Sequence, residues 1–341
     1  MNGHWVQPCK RSQQEVASVS DKKLKLGLYW AAGCGGCDVA VLDIDEKILD
    51  VAEVADIHFW PIAMDFKYKD VAAMDDGFLD VCFLNGAIRN SENKEVAELL
   101  RAKSKVLVAL GTCACYGGVI GLANFCTREE ILETAFKKTV STDNPEGIIP
   151  QPVSEVDGCE LHIPEVYEAV YKLDDFVNVD YYLPGCPPRA ELIAKAIDAI
   201  VAGQLPEPGS VLLPAKTVCD ECKREKKDRH VDEFKRPWEL IPDEEKCLLD
   251  QGLVCMGPAT RAGCGAACTN VNMPCRGCYG PAEGVIDQGA KAMSAVAVTA
   301  VSTNLAEMEK VISQVKDPAG TFYMYGLPNS LLRGRQMKEA K

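Results

Sequence analysis

Eight cysteines crowd the stretch between residues 219 and 278: Cys219, Cys222, Cys247, Cys255, Cys264, Cys268, Cys275 and Cys278. Around them lie short apolar words and many glycines and prolines, too little for an ordinary core. The run closes on Pro274-Cys275-Arg276-Gly277-Cys278. Such a segment needs its thiols as organisers, through disulfides, zinc or iron–sulfur clusters.

Composition narrows the choice. A chain of 341 residues, 47% of them hydrophobic, has room for about two domains and a core without staples. Disulfide-dense chains are usually small and core-poor. Residues 1–22 are polar, without period, and read as a flexible extension. They carry neither an apolar stretch behind basic residues nor a twin arginine, so no export signal is expected. No run approaches the roughly 18 apolar residues of a membrane span. The longest, Ala292 to Val301, is interrupted by Ser294 and Thr299. The expectation is a cytoplasmic protein with no membrane partner, where 17 cysteines signal metal or redox chemistry. A net charge of −13 argues against nucleic acid. The basic run Lys223–His230 reads as a solvated loop, or alternatively as a docking patch for an acidic partner.

Upstream, apolar runs alternate with helical periods. Strands are expected at 24–30, 55–60, 78–86, 105–111 and 178–185. Helices are expected at 38–54, 92–102 and 127–137, the last with Thr127 and Glu130 as a capping box. Another follows Cys186, with Pro187 and Pro188 in its first turn and Gly203 beyond its end. Residues 139–164 read as a long loop and 204–216 as a proline-rich linker. The fold class is α/β: a flavodoxin-like doubly wound parallel sheet (23–204), then a cysteine-rich iron–sulfur domain with little regular structure (205–284), then a C-terminal helical segment and tail (285–341). Ligands of such sheets sit beyond the strands' carboxyl ends. Cys34 and Cys37, Cys113 and Cys115, and Cys186 all fall there.

His4, His58, His162 and His230 are the only histidines, and none sits at ligand spacing beside a CxxC pair. Iron–sulfur clusters therefore fit better than zinc. Cys34, Cys37, Cys113 and Cys186 make one four-thiolate set, and the eight later cysteines supply two more. Spacing alone does not partition those eight. Cys82 reads as a buried strand residue and Cys115 as the alternative ligand. Cys9, Cys126 and Cys159 read as structural. Glycines and prolines beside the thiols let backbone approach inorganic sulfide and aim N–H groups at it.

CGGC after the first strand, GTCACYGG at 111–118, PGCPP at 184–188, CLLDQGLVCMGPATRAGC at 247–264 and PCRGC at 274–278 resemble the small subunit of nickel–iron hydrogenases. Within that family the chain looks most like the cytoplasmic methyl-viologen-reducing, non-deazaflavin-reducing type associated with heterodisulfide reductase. The resemblance implies a proximal 4Fe-4S cluster on Cys34, Cys37, Cys113 and Cys186, and a medial one on Cys264, Cys268, Cys275 and Cys278. A distal cluster would sit on Cys219, Cys222, Cys247 and Cys255. Cys219 stands where periplasmic relatives use histidine, and Cys268 where they often have proline. Asp38 stands where relatives often carry glutamate, and reads as a solvated or capping acid, with a proton-path role as the alternative. The nickel–iron centre would belong to the partner large subunit.

The implied function is electron transfer from dihydrogen oxidation through three 4Fe-4S clusters, with this chain not catalytic alone. The implied partners are the large subunit, a 2Fe-2S electron-transfer subunit and a heterodisulfide reductase-type complex. A related hydrogenase with a polysulfide, NAD(P) or deazaflavin acceptor is the nearest alternative. A zinc-stabilised scaffold is the alternative of another class.

Overall fold

The computed structural model describes residues 23–226, 231–300 and 304–333. Its centre is a sheet of six parallel strands: β1 (Leu24–Trp30), β2 (Ala55–Phe59), β3 (Leu79–Asn85), β4 (Ser104–Leu110), β5 (Tyr181–Leu183) and β6 (Ser210–Val211). Their order across the sheet is β2-β1-β3-β4-β5-β6. This is the flavodoxin order with one strand added at an edge. The inner strands are apolar on both faces, as a sheet covered on both sides requires. Leu26, Leu28, Val81, Phe83 and Val108 pack against α1 (Gly36–Leu42), α2 (Lys47–Val54) and α5 (Ala190–Val201). Tyr29, Cys82, Leu84, Leu107 and Ala109 pack against α3 (Ser91–Lys103) and α4 (Gly111–Tyr116).

Register decides where the site lies. Trp30 pairs with Asn85, Asn85 with Leu110, and Leu110 with Leu183. The four central strands thus end level, and the loops behind β1, β4 and β5 leave from one line.

Several expectations change. The helix expected at 38–54 breaks between α1 and α2, where Asp45 takes a left-handed φ of 55°. Pro187 and Pro188 precede α5, whose N-cap is Arg189, while Gly203 does lie just past its end with φ 63°. Thr127 and Glu130 form the capping box, over a helix at Arg128–Glu133. The long loop contains an exposed hairpin, Val153–Val156 with Cys159–His162. The linker supplies β6, too short to show a period. A further antiparallel pair, Ile88–Asn90 with Val166–Tyr171, packs beside α3.

Among the described residues the cysteine-rich segment has one α-helical turn, Val218–Glu221, and isolated 3-10 turns. It nevertheless owns an apolar core: Val218, Phe234, Leu249, Met256 and the thiols Cys255 and Cys275 pack with Ala292 and Val296 of α6 (Gln288–Ala297) and Phe322 of Pro318–Phe322. The C-terminal helices provide what the segment itself lacks. Among the described residues no helix is long and apolar enough to cross a membrane.

Candidate metal centres

The first set of thiols grows from three strand ends. Behind β1, Gly35 at φ 79° turns the chain into α1, which leaves Cys34 before the helix and Cys37 in its first turn. The Gly36 N–H donates to Cys34 Sγ at 3.4 Å. Behind β4, Gly111 at φ 81° opens α4; a Cβ there would sit 2.3 Å from Cys37 Sγ, so only glycine lets the two loops touch. Cys113 lies in α4, and a Cβ at Gly118 would fall 2.3 Å from its sulfur. Cys186 follows β5, joined to Pro187 by a cis peptide. Burial, then the neighbouring Cys113, Cys186 and Cys34 among others, pushes the Cys37 thiol far up. Burial, then Cys186 and Cys34, raises Cys113 to about 12. Cys34 and Cys186 are exposed, so the set opens to the surface on their side.

Asp38 is neither solvated nor a cap. It is 2% exposed, and its carboxylate accepts from Trp60 Nε1 at 2.9 Å and Asn85 Nδ2 at 2.8 Å.

The later eight thiols lie in two neighbouring regions. Cys219, Cys222, Cys247 and Cys255 line one cavity of about 200 Å³. A capping box of Thr217 and Asp220 sets the turn that presents the first two. Gly257 lets the chain pass; a Cβ there would stand 3.1 Å from Cys219 Sγ and 3.6 Å from Cys255 Sγ. Burial, then Cys255, raises Cys219 to about 12. Burial raises Cys255 to about 11. The other set gathers around Cys278, raised to about 12 by burial and then by Cys264, Cys268 and Cys186. Cys275 is held well above the usual thiol range by burial, then by Cys255.

The sets stand in series. Cys278 borders Cys186 of the first, and the Cys275 N–H donates to Cys255 Sγ of the third at 3.3 Å. Two side chains brace the second junction. The Glu221 carboxylate accepts from the N–H groups of Gly263 and Gly265 at 2.9 Å and of Ala266 at 3.3 Å. Arg224 is 8% exposed; its Nε donates to Thr269 O at 2.9 Å, and Nη1 to Asp243 O at 2.6 Å and Lys246 O at 2.9 Å. That corrects the solvated reading of the basic run at this residue. Lys226 Nζ donates to Cys219 O at 2.8 Å, and residues 227–230 lie outside the described residues. The sequence pattern missed Glu221 and Arg224 because charge there looks like solvated surface.

The remaining described cysteines differ in setting. Cys82 is fully buried in β3, as expected. Cys115 is 1% exposed and its thiol donates to Ala109 O at 3.3 Å, which ties it into the core. Cys126 and Cys159 are exposed. Cys9, His4 and His230 lie outside the described residues. His58 meets the Phe78 ring edge-on, and His162 pairs with Glu160. Among the described residues no cysteine is in a disulfide, and no compact group of three His, Cys, Asp or Glu is set to hold a single metal ion. A cavity of about 200 Å³ lined by four thiols, close glycine backbone and the lack of histidine among the described neighbours fit iron–sulfur chemistry.

Comparison with known proteins agrees with this chemistry. Residues 34–200 match the family described as NADH ubiquinone oxidoreductase, 20 Kd subunit. The chain is 42% identical over 321 residues to the iron–sulfur subunit of the F420-non-reducing hydrogenase of Archaeoglobus profundus, covering 92% of this chain and 99% of that one. It is 41% identical to the corresponding F420-non-reducing hydrogenase subunit of Methanothermobacter thermautotrophicus, covering 94% and 99%. Among solved structures, an NAD+-reducing [NiFe]-hydrogenase chain in the H2-reduced state is 31% identical with a TM-score of 0.47, covering 55% of this chain and 95% of that one. Near-full-length identity of this order shows descent, and the chain belongs to the family of iron–sulfur subunits of the F420-non-reducing hydrogenases.

Proposed function

We propose that this chain is the electron-transfer small subunit of a cytoplasmic nickel–iron hydrogenase, carrying electrons of dihydrogen oxidation from the large subunit through three 4Fe-4S clusters. One observation carries the reading: thiols from distant parts of the chain lie in contiguous groups, linked by the Cys186–Cys278 and Cys275–Cys255 contacts. Cys34, Cys37, Cys113 and Cys186 would hold the proximal cluster, Cys264, Cys268, Cys275 and Cys278 the medial, and Cys219, Cys222, Cys247 and Cys255 the distal. When bound, such clusters exchange one electron at a time at potentials set by ligand, charge and hydrogen bonding.

The chain's own groups supply the rest. Thiol ligands in all three sets, without histidine, favour strongly reducing potentials. Buried thiols with raised pKa values keep their protons until metal displaces them. The nickel–iron centre belongs to the large subunit, against which the Cys34/Cys186 side of the sheet edge packs. The partners beyond the distal site are a 2Fe-2S electron-transfer subunit and a heterodisulfide reductase-type complex; the F420-non-reducing names of the relatives speak against a deazaflavin acceptor. Metal analysis of the anaerobically purified complex tests the relay. About twelve irons per copy of this chain, after subtraction of the partners' own, with matching acid-labile sulfide, are expected. Colourless protein with zinc would refute it in favour of a scaffold. Subunits that co-purify identify the acceptor.

A further inference from the structure

The motif GTCACYGG contains a residue that the relay has not used. Thr112 sits between Gly111, which touches Cys37, and the ligand Cys113, and is 1% exposed. Its hydroxyl uses both of its hydrogen-bonding capacities. It accepts from the Gly185 N–H at 2.9 Å and donates to the Cys278 carbonyl at 2.5 Å. Its own N–H donates to Gly185 O at 2.8 Å. Gly185 precedes Cys186. One side chain is therefore bonded, directly or across a single peptide link, to Cys113 and Cys186 of the first set and to Cys278 of the second.

We propose that Thr112 is a positioning residue that fixes the separation and orientation of the proximal and medial sites. The proposal rests on the three-cluster reading above. Neither flanking loop offers an easy substitute. Gly185 at φ 153° is so tightly folded that a Cβ there would lie 2.4 Å from Pro188 Cα. Position 111 is closed by Cys37 Sγ. Valine in place of Thr112 has nearly the same shape and leaves the buried Gly185 N–H and Cys278 C=O without their shared partner, an arrangement the fold relieves by moving one loop against the other. Serine restores both bonds.

The test uses the intact purified complex carrying Thr112→Val or Thr112→Ser, with three readouts. These are iron and sulfide content, the magnetic splitting between the reduced proximal and medial sites in EPR, and the rate at which dihydrogen reduces the distal site relative to the proximal one. Thr112→Val is expected to keep its iron, to change the splitting, and to slow distal reduction by about 10-fold, the scale that sub-ångström misplacement produces. Thr112→Ser is expected to match the unmodified complex. Unchanged splitting and rate in an iron-replete Thr112→Val complex would overturn the positioning role and leave the relay intact. So would Thr112→Ser shifting both as far as Thr112→Val, since the lost methyl and not the hydroxyl would then be the cause. If Thr112→Val loses iron, the serine variant and its splitting decide alone. Absence of two coupled spins in the unmodified complex would refute the relay itself, and this proposal with it.

Discussion

Gly111→Ala isolates the first site sharply. Position 111 has φ 81°, and an added Cβ would stand 2.3 Å from Cys37 Sγ, where ordinary contact begins at 3.4 Å. The left-handed backbone costs an alanine about 1–2 kcal/mol. The larger effect is steric: the sulfur must retreat by about 1 Å, against a tolerance of about 0.5 Å for a preorganised ligand. Rotating Cys37 away removes one thiolate of four. The helix cannot simply slide, because α1 is held by Ala40 and Val41 in the core and by the Asp38 bonds to Trp60 and Asn85. The expected outcome is selective loss of the proximal cluster, about four irons per chain. The medial and distal signals should remain reducible by dithionite but not by dihydrogen. Gly209→Ala is the control. That residue has φ 89° and nothing within 4 Å of the added methyl, so it carries the backbone cost alone. Full iron content and normal dihydrogen-driven reduction in Gly111→Ala would refute the geometry. Equal iron loss in Gly209→Ala would assign the effect to backbone strain.

Two further outcomes are expected. Removing Glu221 takes a charged acceptor from three N–H groups; at about 1.5–3 kcal/mol per such bond, discounted for partial exposure, Glu221→Ala should lose about 2–4 kcal/mol of local stability, and Glu221→Gln less. Iron release to a chelator measures this, and wild-type release from Glu221→Ala would count against the brace. In the cluster-free reduced chain, burial holds Cys113, Cys219 and Cys278 at about 12 and Cys255 at about 11, from an ordinary value of 9.0. The folded state thus retains protons that the unfolded chain gives up. Its stability should be intact below about pH 9 and fall as pH rises toward 11–12; urea unfolding midpoints that stay flat from pH 8 to 10.5 would contradict the buried sets.

Much of this architecture was legible because its causes are local. Apolar runs at 24–30, 78–86 and 105–111, each closed by a turn, give the inner strands, and the level strand ends then bring Cys34, Cys37, Cys113 and Cys186 to one edge. What stayed hidden depends on distant partners. Asp38 looks like a surface acid until Trp60, 22 residues away, and Asn85, 47 away, close over it. Arg224 belongs to a basic run, yet its bonds go to carbonyls 19 to 45 residues on. β6 has two residues and no period at all. Which of the last eight thiols neighbour one another depends on the path of the chain, since Cys255 lies near Cys219 while the next cysteine in sequence, Cys264, lies near Cys278.

The C-terminal tail sets the order in which the molecule can be built. Pro328 lies against Gly117 and Gly121, where added methyls would fall 2.3 and 2.4 Å from its ring, and Tyr116 lies over Gly280. The helix that follows β4 is therefore roofed by residues synthesised some two hundred positions later. All four thiols of the first set lie upstream of Pro187, but the residue that packs against Gly117 and Gly121 is Pro328. Packing over this helix is therefore completed last, while Cys34 and Cys186 stay exposed.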